Sequence, residues 1–243
     1  MDEHIIVRAA GQDDLHFAET ITAEMEESSK ARGTGIAKRS ADYIRQKINE
    51  GKAVIAVTTD GTWVGFCYIE AWENENYVAN SGLIVSPSFR KSGVAREIKR
   101  KVFELSRTKY PEAKIFGLTT GLAVMKINSE LGYEPVTYSQ LTNDEAFWKG
   151  CQSCVNYDIL MAKKRQNCLC TGMLFDPAWE KKKTETVPAE QQEEPRRFDG
   201  NFSLFERWVR FKQFVLLKTF GRKPDEHEKE EKKSSLFSLF FFW

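Results

Sequence analysis

Histidine is nearly missing from this 243-residue chain. Its three copies, His4, His16 and His227, do not cluster, which sets aside a histidine-based triad or a histidine-rich metal centre. No stretch approaches the roughly 18 apolar residues of a membrane-spanning helix. The opening Met-Asp-Glu-His lacks the basic region and apolar run of a secretory signal, so a cytoplasmic location is the expectation. Charge of one sign is lacking as well. With 36 Lys and Arg against 35 Asp and Glu the net charge is +1, and the molecule as a whole is not steered toward nucleic acid. Five cysteines, an odd number, cannot all pair within the chain and fit a reducing compartment. What is present suffices for a core: 41% apolar and 29% charged residues are the proportions of a soluble globular protein, at a length for one domain with appendages.

The pattern along the chain predicts a strand at Ile5 to Ala9. A helix follows over Asp13 to Glu27, with Leu15, Ala18, Ile21 and Met25 on one side, and a second around Ala37 to Ile48. Strands at Ala53 to Thr58 and Trp63 to Glu70 are joined through Asp60-Gly61, a pair that suits a tight hairpin. Next come a strand at Tyr77 to Val85, a helix over Gly93 to Thr108, a strand at Lys114 to Leu118 and a helix over Gly121 to Leu131. A last strand is expected at Val155 to Met161. This order describes a mixed α/β domain over residues 1–162. A cysteine-containing extension (163–179), a charged linker (180–200) and a C-terminal region (201–243) complete the expected organisation.

The most informative segment runs from Gly82 to Ala95. An apolar strand ends at Ile84-Val85, and Arg90-Lys91-Ser92-Gly93-Val94-Ala95 leads into a helix. Unpaired N–H groups at a helix start, with the helix dipole behind them, attract an anion. Gly93 permits close approach, Ala95 keeps the next turn small, and Arg90 and Lys91 supply charge. These residues read as a phosphate or pyrophosphate cradle; a solvated basic turn is the plain alternative. The loop lacks the Gly-Lys-Ser/Thr ending of a Walker A motif, and its glycine spacing is not that of a dinucleotide fingerprint.

Arg90-Lys91-Ser92-Gly93-Val94-Ala95 fits the Arg/Gln-x-x-Gly-x-Gly/Ala signature of the GCN5-related N-acetyltransferase (GNAT) family. Leu131-Gly132-Tyr133-Glu134-Pro135 resembles that family's helix-ending Gly-Phe/Tyr element. The resemblance covers residues 5 to 161. It implies a GNAT-like mixed central sheet flanked by helices, and an acyl-coenzyme A donor whose pyrophosphate lies on the N–H groups of Arg90 to Ala95. The strand ending at Ile84 and Val85 would align the thioester. Many members carry a tyrosine four residues before the helix-ending glycine, where it protonates the leaving thiolate. This chain has Asn128 there, which can donate a hydrogen bond but cannot supply a proton as tyrosine does. Asn128 is therefore a candidate cofactor contact and catalytic residue, with an ordinary helix-surface residue as the plain alternative. Thr119 and Thr120 replace the usual small polar residues after the fifth strand and can equally cap the next helix.

Acyl transfer needs a neutral amine against the thioester carbonyl and a route for its proton. Candidate bases are Glu70, Glu73 and Glu75, with Glu70 first because it ends the apolar run Phe66-Cys67-Tyr68-Ile69. Tyr68, Trp72 and Tyr77 are candidates for the acceptor pocket, and Arg32 and Arg39 for binding an acceptor carboxylate; core packing and surface ion pairs are the bland readings. Cys67 reads as a buried, inert thiol.

Cys151-Gln-Ser-Cys154 and Cys168-Leu-Cys170 hold the other four cysteines. Paired thiolates on short loops can close a structural zinc site, if the strand between them brings the pairs together across a sheet edge. Free or redox-active thiols are the alternative. The arrangement through Asp176-Pro177 resembles acyltransferase-like proteins encoded with arginine-biosynthesis genes in Bacteroidetes-type bacteria, which implies glutamate as acceptor and acetyl- or succinyl-coenzyme A as donor. Residues 202–220 have near-helical spacing of Phe202, Phe205, Trp208, Val209, Val215, Leu216 and Phe220 among basic residues. Such a helix can pack on its own domain, or meet a second copy, another protein or a membrane surface. The run Leu236 to Trp243 would make a costly exposed patch.

Overall fold

The computed structural model of the protein describes residues 4–33, 37–179 and 207–212. Seven strands form one sheet in the order β1-β2-β3-β4-β5-β7-β6. They are β1 (Ile5–Ala9), β2 (Ala53–Thr58), β3 (Trp63–Trp72), β4 (Tyr77–Val85), β5 (Lys114–Thr119), β6 (Glu134–Val136) and β7 (Thr171–Phe175). The α-helices are α1 (Ala18–Arg32), α2 (Ala41–Asn49), α3 (Val94–Lys109), α4 (Leu122–Glu130), α5 (Glu145–Lys149) and α6 (Tyr157–Ala162). Every neighbouring pair of strands is antiparallel except β4 and β5, which are parallel and connected through α3.

Alternation along β2 sorts the core into two layers. Val54 and Ala56 pack with Val94, Ile98 and Val102 of α3. Ala53, Ile55 and Val57 pack with Ile21 and Met25 of α1 and Ile44 and Ile48 of α2. Both faces of β2 are covered, which is why its run Ala-Val-Ile-Ala-Val is apolar without interruption. Ser40 caps α2 by accepting from the Tyr43 N–H at 3.2 Å, and α3 starts from Gly93 at φ +92°.

One irregularity shapes β4. Phe66 pairs with Ile84 and Tyr68 with Ser81, so two steps along β3 oppose three along β4. This bulge holds Gly82 at φ +66°, in the left-handed region. A Cβ there would lie 2.5 Å from Cε1 of Tyr68 and 2.9 Å from Cε of Met25.

The sequence-based reading placed the nine elements from β1 to α4, and it failed at the far edge. Residues expected as a strand at 155–161 form α6, with Ile159 and Leu160 buried side by side and Val155 exposed. The strand that completes the sheet is β7, whose five residues are all buried between β5 and β6. The sheet thus runs through residue 175 and takes in five residues of the expected extension (163–179). The expected linker, residues 180–200, and the run 236–243 lie outside the described residues.

Gly82→Ala should lower stability by about 1–3 kcal/mol through backbone strain and the clash with Tyr68. For a domain of this size that is roughly 2–12 °C in melting temperature. Gly61→Ala, at a hairpin tip with φ +88° and open space around it, carries the strain alone and should cost less. Equal losses in scanning calorimetry would mean that the Tyr68 contact has no weight.

Candidate active site

The parallel pair β4 and β5 is bonded over only three residues. Tyr77, Val78 and Ala79 match Lys114, Ile115 and Phe116, and the pairing ends there although both strands continue. From Asn80 and Gly117 onward the strands diverge, and a cavity of about 260 Å³ opens between them. Its wall includes Asn80 to Leu83 of β4, Gly117 to Thr119 of β5, and Val124 and Asn128 of α4.

At the end of β4 the chain turns through a short 3-10 helix, Pro87–Phe89, into the loop before α3. Among the described residues, the N–H groups of Lys91, Ser92, Gly93, Val94 and Ala95 donate no hydrogen bond. Five consecutive free donors at a helix start form an anion cradle. Arg90 plays a different part from the one expected of it. Its Nε donates to the Val85 carbonyl at 3.0 Å, while Nη2 donates to Glu24 and Ser28, each at 2.7 Å. The guanidinium therefore ties the loop to the strand end and to α1. Ser92 Oγ donates to the Phe89 carbonyl at 2.6 Å, and Lys91 sits at φ +68°. Ser92, Gly93 and Val94 border a separate shallow hollow with Ile5, Val7, Arg96 and Glu97. Ile84 and Val85 are buried and border neither cavity.

The strand-end carboxylates have separated. Glu70 lines the main cavity, accepts a hydrogen bond from the Tyr43 hydroxyl, and pairs with Lys47 at 3.4 Å. Beside it Arg39, also on the cavity wall, donates from Nε to the Tyr68 hydroxyl at 3.0 Å. Burial pushes the Tyr43 and Tyr68 phenols up, so both remain protonated. Glu73 is absent from this group: its carboxylate is taken by Thr142 Oγ1 at 2.7 Å and by the Asn143 N–H. Glu73 and Glu75 sit with Asn74 in a turn of positive φ that joins β3 to β4, so reading Glu73 as a base is corrected to a structural role. Trp72 and Tyr77 pack with Phe147 and Phe116 rather than lining the cavity, whereas Tyr68 does line it. The Arg32 side chain lies outside the described residues. Thr119 Oγ1 accepts from the Gly121 N–H at 3.1 Å, a turn contact, while Thr119 and Thr120 both face the cavity.

The cavity has a polar end that the sequence reading missed. Lys99 of α3 lines it with only 2% exposure, and its Nζ donates to Asn80 Oδ1 at 3.1 Å. Tyr133 donates to the same oxygen at 2.9 Å, and Asn80 Nδ2 donates to Ser106 at 2.9 Å. Asn128 is 2% exposed, and its Oδ1 is buried with no partner among the described residues. Desolvation pulls Lys99 down to about 8. The available signal was a lysine inside the apolar stripe Val94, Ile98, Val102, where a charge is otherwise out of place.

Cys151, Cys154, Cys168 and Cys170 all border the same cavity, yet no three of the described His, Cys, Asp and Glu residues come together to hold a metal ion. The expected zinc site does not fit this arrangement. Its premise was a strand joining the two pairs, and that segment is α6. The thiols instead engage backbone: Cys168 Sγ donates to the Asn156 carbonyl at 3.7 Å, and Cys154 Sγ accepts from the Asn156 N–H at 3.4 Å. Burial pushes Cys151 up to about 11 and Cys170 further, which disfavours thiolates. Residues 207–212 are helical and dock here, with Val209 in the core and Lys212 Nζ donating to the Cys170 carbonyl at 3.2 Å. That part of the C-terminal region packs on its own domain. No described helix is long and apolar enough to cross a membrane.

A parallel strand pair that splays beside a free N–H cradle is the architecture of GNAT acetyltransferases. Residues 21–123 match the acetyltransferase (GNAT) family. The fold is GNAT-like. Among solved structures, it resembles the N-acetylglutamate synthase of Neisseria gonorrhoeae, complexed with coenzyme A and N-acetyl-glutamate. Identity is 16% and the TM-score 0.52, over 72% of this chain and 36% of that one. It also resembles Rv2747 of Mycobacterium tuberculosis, in complex with coenzyme A, at 16% identity and a TM-score of 0.51, over 70% of this chain and 98% of that one. This chain thus corresponds to about a third of the Neisseria protein. No curated protein matches it by sequence.

Lys99→Met should stabilise the fold at neutral pH. The folded state holds Lys99 near 8 against an ordinary 10.5, so between those values the unfolded chain binds the extra proton and folding strengthens as pH rises. The burial cost is complete below pH 8 and gone above 10.5. The variant's gain in melting temperature should follow that course; a gain independent of pH would assign it to packing.

Proposed function

We propose that this protein transfers an acetyl group from acetyl-coenzyme A to the α-amine of a small amino acid, with glutamate the first acceptor to test. The observation that carries this reading is the cleft between the splayed strands, with an arginine on its wall and free N–H groups in the loop that follows β4. Five strand residues separate Val85 from Asn80, roughly 17 Å, a span on the order of an extended pantetheine arm. The donor's pyrophosphate lies on the N–H groups of Lys91 to Ala95, and its thioester reaches the divergent part of β4, whose unpaired backbone groups hold the carbonyl.

Arg39 gives the acceptor its orientation. Its Nη2 has no hydrogen-bond partner among the described residues, and a carboxylate is the group a guanidinium binds best. Glu70, reached directly or through one water, takes the proton of the attacking amine. The amine attacks the thioester carbon, the tetrahedral oxyanion collapses, and the carbon–sulfur bond breaks to give an amide and coenzyme A. Succinyl-coenzyme A is the alternative donor, and cytoplasmic amino-acid biosynthesis is the setting this chemistry suits. A noncatalytic acyl-coenzyme A binding module is the second reading, favoured by the one position, Asn128, that lacks the family's usual proton donor.

Thiol release from acetyl- and succinyl-coenzyme A, with and without L-glutamate, tests the proposal. Glutamate-dependent release with N-acylglutamate seen by mass is the expected result; donor binding with no release for any amino acid would favour the binding module. Arg39→Ala should raise KM for glutamate about 10- to 100-fold, the loss of a charged hydrogen bond of roughly 1.5–3 kcal/mol, with a smaller change in kcat. Glu70→Gln should lower kcat about 10²- to 10⁴-fold and leave coenzyme A binding, read by calorimetry, within threefold. Full turnover in Glu70→Gln would remove Glu70 from the role of base.

A further inference from the structure

Lys99 is an ammonium group buried in a cleft without a counter-ion. Among the described residues, no carboxylate pairs with it; its single hydrogen-bond acceptor is Asn80 Oδ1, and the Tyr133 ring lies 5.3 Å from Nζ. An ammonium has three donors, so two remain. A buried cation with unused donors is costly unless an anion arrives to meet it. Here the position matters. Asn80 is the first β4 residue past the last β4–β5 pair, so Lys99 stands at the apex of the divergence, on the same cavity wall as Asn128. The anion that forms in such a cleft is the sulfur of the departing donor.

We infer that Lys99 is the proton donor to the coenzyme A thiolate, a catalytic role that the amide of Asn128 cannot fill. This rests on the acyl-transfer reading above. As the tetrahedral intermediate collapses, the carbon–sulfur bond breaks with its electron pair moving to sulfur. Nζ gives up one proton to form the S–H bond and is left as a neutral amine. The proton lost by the attacking amine leaves through Glu70 to solvent, and solvent reprotonates Lys99 before the next turnover, so one proton is taken and one returned. Asn80 and Tyr133 are the positioning residues, since Asn80 Oδ1 holds both Nζ and the phenol.

The groups that face Nζ permit this. Cys67 of β3 is pushed up to about 11 by burial, and Tyr133, beyond α4, well above its ordinary value, so both stay neutral while Lys99 titrates. Asn80 and Ser106 carry no charge. Lys99, drawn down to about 8, is close enough to a thiol's ordinary range to donate without a large uphill step.

Two measurements on the full chain test the assignment. The first needs no turnover: coenzyme A is bound and its thiolate absorbance followed with pH. An ammonium against the sulfur lowers the thiol's pKa, so the bound thiol should titrate at least one unit lower in the wild type than in Lys99→Met. Equal titration in the two proteins overturns the inference even if acyl transfer is confirmed, and failure of coenzyme A to bind overturns both readings. The second is the pH dependence of kcat. Wild type should lose activity above about pH 8 as Lys99 deprotonates, whereas Lys99→Met should lose 10²- to 10⁴-fold and that limb with it. Lys99→Arg should keep coenzyme A binding and shift the limb upward, since its proton is held too tightly to follow the same profile. An unchanged alkaline limb in Lys99→Met would exclude the lysine, and the stability of that variant at neutral pH separates this outcome from misfolding.

Discussion

The divergence of β4 from β5 is the constraint on which the remaining features depend. Parallel strands joined by a helix normally bond along their length, because each unpaired N–H or C=O buried in a core is costly. Here bonding stops after Ala79 and Phe116. The bulge at Gly82 provides the local cause: an extra residue in β4 alters its pleat and twist, and the glycine accepts a positive φ where Tyr68 and Met25 leave no room for a side chain. The backbone groups freed in this way line a cleft instead of a ladder. Arg90 stabilises the outer end by holding the Val85 carbonyl and α1 together, which keeps the loop N–H groups open toward solvent.

Two kinds of polar wall then meet in one cavity. Arg39, Tyr68, Tyr43, Glu70 and Lys47 form a wall in which each side chain has a hydrogen-bond or ion-pair partner, as buried or half-buried groups require. Lys99 and Asn128 are less complete, since one is a buried ammonium with a single amide acceptor and the other carries an orphaned carbonyl oxygen. Unsatisfied groups of this sort are rare in folded proteins, and they concentrate where a ligand completes the set. The matched wall suits recognition of a polar acceptor, the unmatched one a charge that exists only during reaction.

Much of this was legible in the linear sequence because it depends on neighbours a few residues apart. Ala53 to Thr58 announced a strand beside the Asp60-Gly61 turn, Val94, Ile98 and Val102 a helix face by their spacing, and Arg90 to Ala95 a helix start by the glycine and the residues around it. The candidate site was only partly legible. Glu70 and Asn128 were placed on the cleft wall, but the loop residues Arg90 and Ser92 turned their side chains to backbone carbonyls, and Glu73 was consumed by Thr142 and Asn143. Those partners lie 3 to 70 residues away, and the residue pattern does not specify which of them a side chain takes.

By itself the sequence determined the elements whose periodicity is strong, the glycine-bearing loop at the start of α3, and an asparagine at position 128. Tertiary structure decided the edge of the sheet, where Thr171–Phe175 took a place that Val155–Met161 was expected to fill. Both segments are short apolar runs, and local propensity cannot say which of two such runs pairs with β5; only the buried slot between β5 and β6 does. It decided the cysteines for the same reason, because spacing specifies thiols that can meet but not the backbone that carries them. And it decided Lys99, whose position in a helix stripe marks it for burial while the absence of a counter-ion becomes visible only once every element packed against it is in place.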